Sequence, residues 1–210
     1  MSDYPRSASA PMVLVLAVGA SFGAATSLVN ALAHQTVDLE SRAAAVGGWS
    51  VMEIVSILFD SGWAWAGLAV LTGWLANRAG RQGAAALVRG AVAGTLSLLV
   101  ATAAYYALDT IVHQVPIGSY VYDTIFWALA AVLFGPVLGA IGACAGRPGA
   151  IGVLARVTVP VGAAVQMVVQ PPGRNEVLTA IGQWVVWTAA AVSIAVVVVH
   201  FIRARPTRTA

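Results

Sequence analysis

Residues Gly90–Leu108 read "GAVAGTLSLLVATAAYYAL", a stretch without a single charge between Arg89 and Asp109. A helix needs about 20 consecutive apolar residues to cross the hydrocarbon core of a bilayer, and this run meets that length. Similar runs lie on both sides of it. Together they predict helices at about 11–33, 49–77, 84–108, 122–145, 150–170 and 177–202. The second is too long for an untilted span and is interrupted by Asp60-Ser61-Gly62. Two forms fit it: one tilted helix kinked near Gly62, or a short interfacial helix followed by a span from about 61 to 77. Either crosses once.

Composition agrees. The chain has 210 residues, 60% hydrophobic and only 9% charged, where a soluble domain carries roughly 25% charged residues. The fold class expected is all-α, a polytopic transmembrane helix bundle of about six spans. It forms one domain over 11–203, with tails at 1–10 and 204–210. An alternative for the first run is a cleaved signal peptide ending near Ala31-Leu32-Ala33. The run from Pro11 to Ala33 exceeds the usual 7–15-residue apolar core of such a signal, so it is read as the first span.

All eleven basic residues are arginine, and they sort by position. With the N-terminus inside, Arg6, Arg78, Arg81, Arg89, Arg147, Arg156, Arg203, Arg205 and Arg208 fall on the cytoplasmic side, and only Arg42 and Arg174 outside. That is the positive-inside pattern. It predicts both termini cytoplasmic and the plasma membrane as location. Because the arginines are dispersed at span ends, nucleic acid is not an expected partner. Cys144 has no partner for an intrachain disulfide.

Small residues four apart recur as Gly19/Gly23, Gly90/Gly94 and Gly135/Gly139. Such spacing lets helix backbones approach closely in lipid, within one bundle or across a dimer; packing within the bundle is the expectation. Pro136 and Pro160 are expected to kink the fourth and fifth spans.

The acids, by contrast, gather toward the outer half. Glu53, Asp60, Asp109, Asp123 and Glu176 lie there with His34, His113, Asn30, Gln166, Gln170 and Gln183. Trp49, Glu53, Ser56, Asp60, Trp63 and Gly67 recur at three- and four-residue steps, one stripe on a helix. Tyr105 or Tyr106, Asp109 and His113 share another face, as do Asn30 and His34, Asp123 and Trp127, and Gln183 and Trp187. Intramembrane polar stripes normally face the bundle interior, which predicts a polar cavity open toward the outer leaflet. Plainer roles stand beside this one. Asp123 and Asp60 fit helix N-caps, Glu176 a first-turn carboxylate, and many of the aromatics an interfacial belt.

Several chemistries are set aside. No DDxxD run, HExxH, GxSxG or Walker A pattern occurs, and the three histidines are scattered, so no metal site and no cofactor are expected. What remains is carboxylic acids among aromatic rings. An ionised carboxylate in lipid is costly, so intramembrane acids are usually paired or neutral, and a neutral one is a proton donor. Aromatic faces stabilise cations by about 0.5–2 kcal/mol each when desolvated. This combination suits a cyclisation begun by protonating an epoxide or alkene of a lipophilic prenylated molecule. Asp60 and Asp109 are the leading acids, with Glu53 and Asp123 as possible partners. Trp49, Trp63, Tyr105, Tyr106, His113, Trp127, Gln183, Trp184, Trp187 and Asn30 are candidates to line the substrate.

In size and hydropathy along its whole length, and in its acids among aromatics, the chain resembles the small bacterial membrane-bound terpene cyclases that make indole sesquiterpenes. These are similar in plan to the larger fungal meroterpenoid cyclases. The resemblance implies a helical, metal-independent enzyme relying on intramembrane acids. It implies seven helices where six are counted here, and it carries over no individual residue. The chain equally resembles a broad set of small actinobacterial membrane proteins with no assigned activity. Two other functions fit the same pattern. One is a small-molecule or proton-coupled transporter, for which midplane acids and kinked spans are usual. The other is a non-catalytic binding or accessory subunit.

Overall fold

The computed structural model describes residues 9–36, 47–78, 83–173 and 175–204. Among them every regular element is helical: α1 (Ser9–Thr36), α2 (Val51–Phe59), α3 (Gly62–Leu75), α4 (Ala84–His113), a 3-10 turn (Ile117–Tyr120), α5 (Val121–Cys144), α6 (Gly149–Val169) and α7 (Glu176–Arg203). Among the described residues five helices are long and apolar enough to cross a membrane, or up to six if α2 and α3 form one broken span. These are the helices of a multi-pass membrane protein. Lipid offers no partner for a free N–H or C=O, and helices satisfy both within the segment. Arg6, Arg42, Arg81, Arg174, Arg205 and Arg208, and most of both expected tails, lie outside the described residues.

The second segment divides at Asp60-Ser61, where α2 and α3 meet at a bend of 53°. Ser50 starts α2, its Oγ accepting from the Glu53 amide at 3.1 Å. α1 runs unbroken from Ser9 to Thr36, through Ala31-Leu32-Ala33. Pro136 and Pro160, which disfavour helix in water, sit inside α5 and α6. α4 extends to His113, five residues beyond the expected boundary, because its stop comes only at Gln114 in the left-handed region (φ 52). Asp109 and His113 are therefore helical.

The described residues fall into two compact units. The first comprises α1 up to Leu28 together with Leu68–Ala143. Its packing is a matter of glycine. A Cβ on Gly19 would lie 2.6 Å from the Ser97 carbonyl oxygen, and one on Gly23 would collide with the Ala101 carbonyl. Gly90 and Gly94 meet Gly139 and Gly135 in the same way, and Gly73 of α3 also closes onto Gly139. All three four-residue glycine spacings thus serve contacts within this unit. Helices in lipid gain little from the hydrophobic effect, so close van der Waals approach supplies the attraction. One side-chain hydrogen bond joins α3 to α4, Thr72 Oγ1 with Ser97 Oγ at 2.8 Å, both residues fully buried.

The second unit comprises Val29–Gly67 and the chain from Cys144 onward. Ala163 and Met167 of α6 pack on Val186 of α7, with Leu58, Trp63 and Trp187 around them. Met167 is free to accept an outside hydrogen bond because Pro171, four residues on, has no N–H to offer its carbonyl. Gln183 Nε2 fills that place at 2.9 Å. Large apolar side chains point outward along both units, among them Leu133, Val169 and Trp184, as expected of surfaces that meet acyl chains.

Candidate functional site

Two groups of polar residues form, one in each unit. In the first unit, Tyr106, Asp109, Thr110 and His113 follow one another down the last turns of α4. Asp109 is buried. His113 Nε2 lies 3.4 Å from Asp109 Oδ1, one helical turn away. Chain reversal after α4 brings in a third group. Gln114 turns the backbone, Pro116 begins the 3-10 turn, and Tyr120 at its end returns to α4. There the Tyr120 hydroxyl comes close to the Asp109 carboxylate. Its ring lies 5.4 Å from that of Tyr106, which meets Tyr105 edge-on at 5.0 Å. A carboxylate, an imidazole and the Tyr120 phenol thus converge, with the rings of Tyr106 and Tyr105 next to that of Tyr120.

Asp123 stands in the first turn of α5, within the helix rather than capping it, and is exposed. Its charge is close enough to act on Tyr120. Trp127, one turn further, is half exposed and packs edge-on with Phe126 at 5.2 Å.

The second group surrounds the bend between α2 and α3. Asn30 of α1 uses both ends of its amide: Nδ2 donates to Asp60 Oδ2 at 3.0 Å, and Oδ1 accepts from Ser56 Oγ at 2.6 Å. Asp60 is the C-cap of α2, and its own amide donates to the Ser56 carbonyl. Gln166 of α6 caps the other side of the break, its Oε1 accepting from the Trp63 amide at 2.9 Å. The lack of a side chain at Gly62 makes room, since a Cβ there would already stand 3.3 Å from Gln166 Oε1. Glu53 occupies the first turn of α2, and Trp49, just before it, is half exposed.

Gln183 and Trp187 spend their N–H groups on α6, on the carbonyls of Met167 and Ala164. Trp184 meets Trp187 edge-on at 6.1 Å and otherwise faces outward, 68% exposed. Trp63 packs against the Ala163, Met167 and Val186 cluster, and its Nε1 is buried without a hydrogen-bond partner.

Of the residues expected from sequence, Tyr105, Tyr106, Asp109 and His113 come together, and so do Asn30 and Asp60. Tyr120, Ser56 and Gln166 join these groups, although none of the three was expected to act as the acid or to line the substrate. For Ser56 the stripe through Glu53 and Asp60 was the signal, since it includes that position. Ser50-x-x-Glu53 is likewise a helix-start pattern that marks where α2 begins. Among the described residues, no three His, Cys, Asp or Glu side chains gather as a metal site.

Chemically the two groups differ. At the bend, hydrogen bonds from α1 and α6 hold the broken backbone between α2 and α3. At the end of α4, a buried carboxylate has two proton-bearing neighbours. No family model, curated protein or solved structure matches this chain.

Proposed function

We propose that the protein is a metal-independent terpene cyclase of the plasma membrane, with both termini cytoplasmic. It would act on a lipophilic prenylated molecule that enters from the lipid. One observation carries the reading: Asp109 is a buried carboxylate with the His113 imidazole and the Tyr120 phenol beside it, and the Tyr120 ring lies near that of Tyr106.

In its protonated form Asp109 gives its proton to the oxygen of a terminal epoxide. The C–O bond breaks with its electron pair going to oxygen, which becomes a hydroxyl, and the carbon left electron-poor is attacked by the π pair of the next double bond. Each closure forms a C–C bond and moves the positive charge along the chain. Tyr105, Tyr106 and Tyr120 offer π faces to that charge. Loss of a proton from the carbon beside the last cation returns its C–H pair as a double bond. The product is an isomer of the substrate, so no co-reactant is consumed. General acid catalysis of this kind is worth about 10²–10⁴-fold.

The test is a product assay on membranes with terminally epoxidised and plain farnesyl and geranylgeranyl conjugates. Wild type is compared with Asp109→Asn and Asp60→Asn at matched expression. The expected result is a cyclised product that disappears in Asp109→Asn and persists in Asp60→Asn. Loss in Asp60→Asn alone moves the acid to the bend, and absence of turnover in the wild type refutes the cyclase.

A second reading, a proton-coupled or small-molecule transporter, is favoured by the broken segment. Discontinuous helices often form transport sites, and this one carries Asp60 at its break. Uptake into vesicles that depends on Asp60 and not on Asp109 would select it.

A further inference from the structure

Asp109 and His113 differ in access. The side chain of Asp109 is 11% exposed, and that of His113 is 42% exposed, although their facing atoms are 3.4 Å apart. The separation is just beyond a direct N–H···O bond of about 2.7–3.2 Å. A small rotation of either side chain completes the path. One member of the pair faces inward and the other outward.

A general acid that has spent its proton must regain one before it acts again. The groups around Asp109 are not equal to this task. Tyr120 comes from the 3-10 turn, and near it lie Tyr106 of the same helix as Asp109 and Asp123 at the start of α5. Phenols hold their protons near neutral pH, and an exposed carboxylate has none to give. Imidazole is the side chain whose ordinary range lets it both take and release a proton there.

Resting on the reading of Asp109 as the acid, we infer that His113 is a positioning residue that returns a proton to Asp109 after each turnover, drawing it from the aqueous edge of the membrane. Donation to the substrate leaves Asp109 as a carboxylate. The imidazolium N–H proton passes to that carboxylate, and the neutral imidazole takes another from water. The proton lost from the last cation is released to solution by whichever base accepts it. Each cycle takes up one proton and releases one. The relay explains why an imidazole stands one turn beyond the acid, on its exposed side.

The experiment separates the first turnover from later ones. Wild type, His113→Ala, His113→Gln and Asp109→Asn are mixed in membranes with a terminally epoxidised farnesyl conjugate. One series has protein in excess and another substrate in excess, each with and without imidazole in the medium. In both His113 variants the first turnover is expected to stay within about threefold of wild type, while the steady state falls about tenfold or more. Added imidazole is expected to restore His113→Ala. Asp109→Asn loses the first turnover as well.

An undiminished steady state in the His113 variants overturns the relay and leaves Asp109 as the acid. So does an equal loss in both series without response to imidazole, which would make His113 a residue of the helix end only. Absence of product from the wild type overturns the cyclase itself, and the relay with it.

Discussion

Asn30 and Asp60, thirty residues apart, are joined by a 3.0 Å hydrogen bond in which the amide Nδ2 donates to the carboxylate. The same amide accepts from Ser56 Oγ at 2.6 Å. One side chain of α1 thereby spans the last turn of α2 and holds the break before α3. A helix interrupted in lipid needs partners for its loosened backbone groups, and Gln166 of α6 supplies one by accepting from the Trp63 amide, while Asn30 ties the side chains of the last turn of α2.

Replacing Asn30 by alanine should therefore loosen the bend. Hydrogen bonds between helices in membranes contribute about 0.6 kcal/mol on average, so losing two should cost about 1–2 kcal/mol. Thermal unfolding in detergent measures this, and an unchanged midpoint would show that the two bonds contribute nothing.

Glycine positions give opposite expectations for the same substitution. Gly94→Ala puts a Cβ 2.7 Å from the Gly135 carbonyl oxygen and 2.8 Å from the Gly139 Cα, all backbone. Separating α4 from α5 to admit it should cost about 1–3 kcal/mol. Gly162, in α6, has nothing within 4 Å of where a Cβ would stand. Gly162→Ala should raise stability by about 0.5–1 kcal/mol through the gain in helix propensity. Equal effects at the two positions would contradict the close approach.

Gln183 and Trp184 are neighbours in sequence with different surroundings. Gln183→Leu leaves the Met167 carbonyl unpaired in an apolar setting, at about 1–3 kcal/mol. Trp184→Leu, on the outer surface, should change stability by about 0.5 kcal/mol or less. If Gln183→Leu melts like wild type but loses activity, its amide serves substrate rather than α6.

Tyr120→Phe keeps the ring beside Tyr106 and removes the hydroxyl that meets Asp109. The fold should survive. A hydrogen bond to a charged group is worth about 1.5–3 kcal/mol, so turnover should fall about 10–100-fold. A rate within twofold of wild type would remove Tyr120 from the site.

Orientation is open to direct measurement. In a Cys144→Ser background, a cysteine at Ser119 should react with an impermeant reagent added to intact cells, and one at Ser2 only after lysis. The reverse pattern would invert the topology proposed from the arginines.

Much of this was legible along the chain. The apolar runs, the interruption at Asp60-Ser61-Gly62 and the small-residue spacings each reflect a rule that the bilayer enforces locally: a length to cross, a backbone to satisfy, a surface that can be approached. The Asp109–His113 pairing was readable too, because four residues on a helix make one turn. Ser50-x-x-Glu53 carried the start of α2 in the same local way.

Tyr120 was a different matter. Its return to Asp109 depends on a left-handed residue at Gln114 and on the path through Pro116, and neither sets a direction until the turn has packed against α4. The tasks of Gln166, Gln183 and Trp187 were hidden for a related reason. These helices are apolar on nearly every side, so hydrophobic periodicity does not say which face meets a neighbour. By itself, the order of residues determined that the chain forms long helices suited to a membrane, and where they break. Tertiary structure alone decided which glycines touch which carbonyls, and which polar side chains spend their hydrogen bonds on holding the backbone. It also decided which carboxylate ends up buried beside an imidazole and a phenol. Close packing and hydrogen-bond pairing between distant segments are properties of shape, and in lipid no gradient of hydrophobicity announces them beforehand.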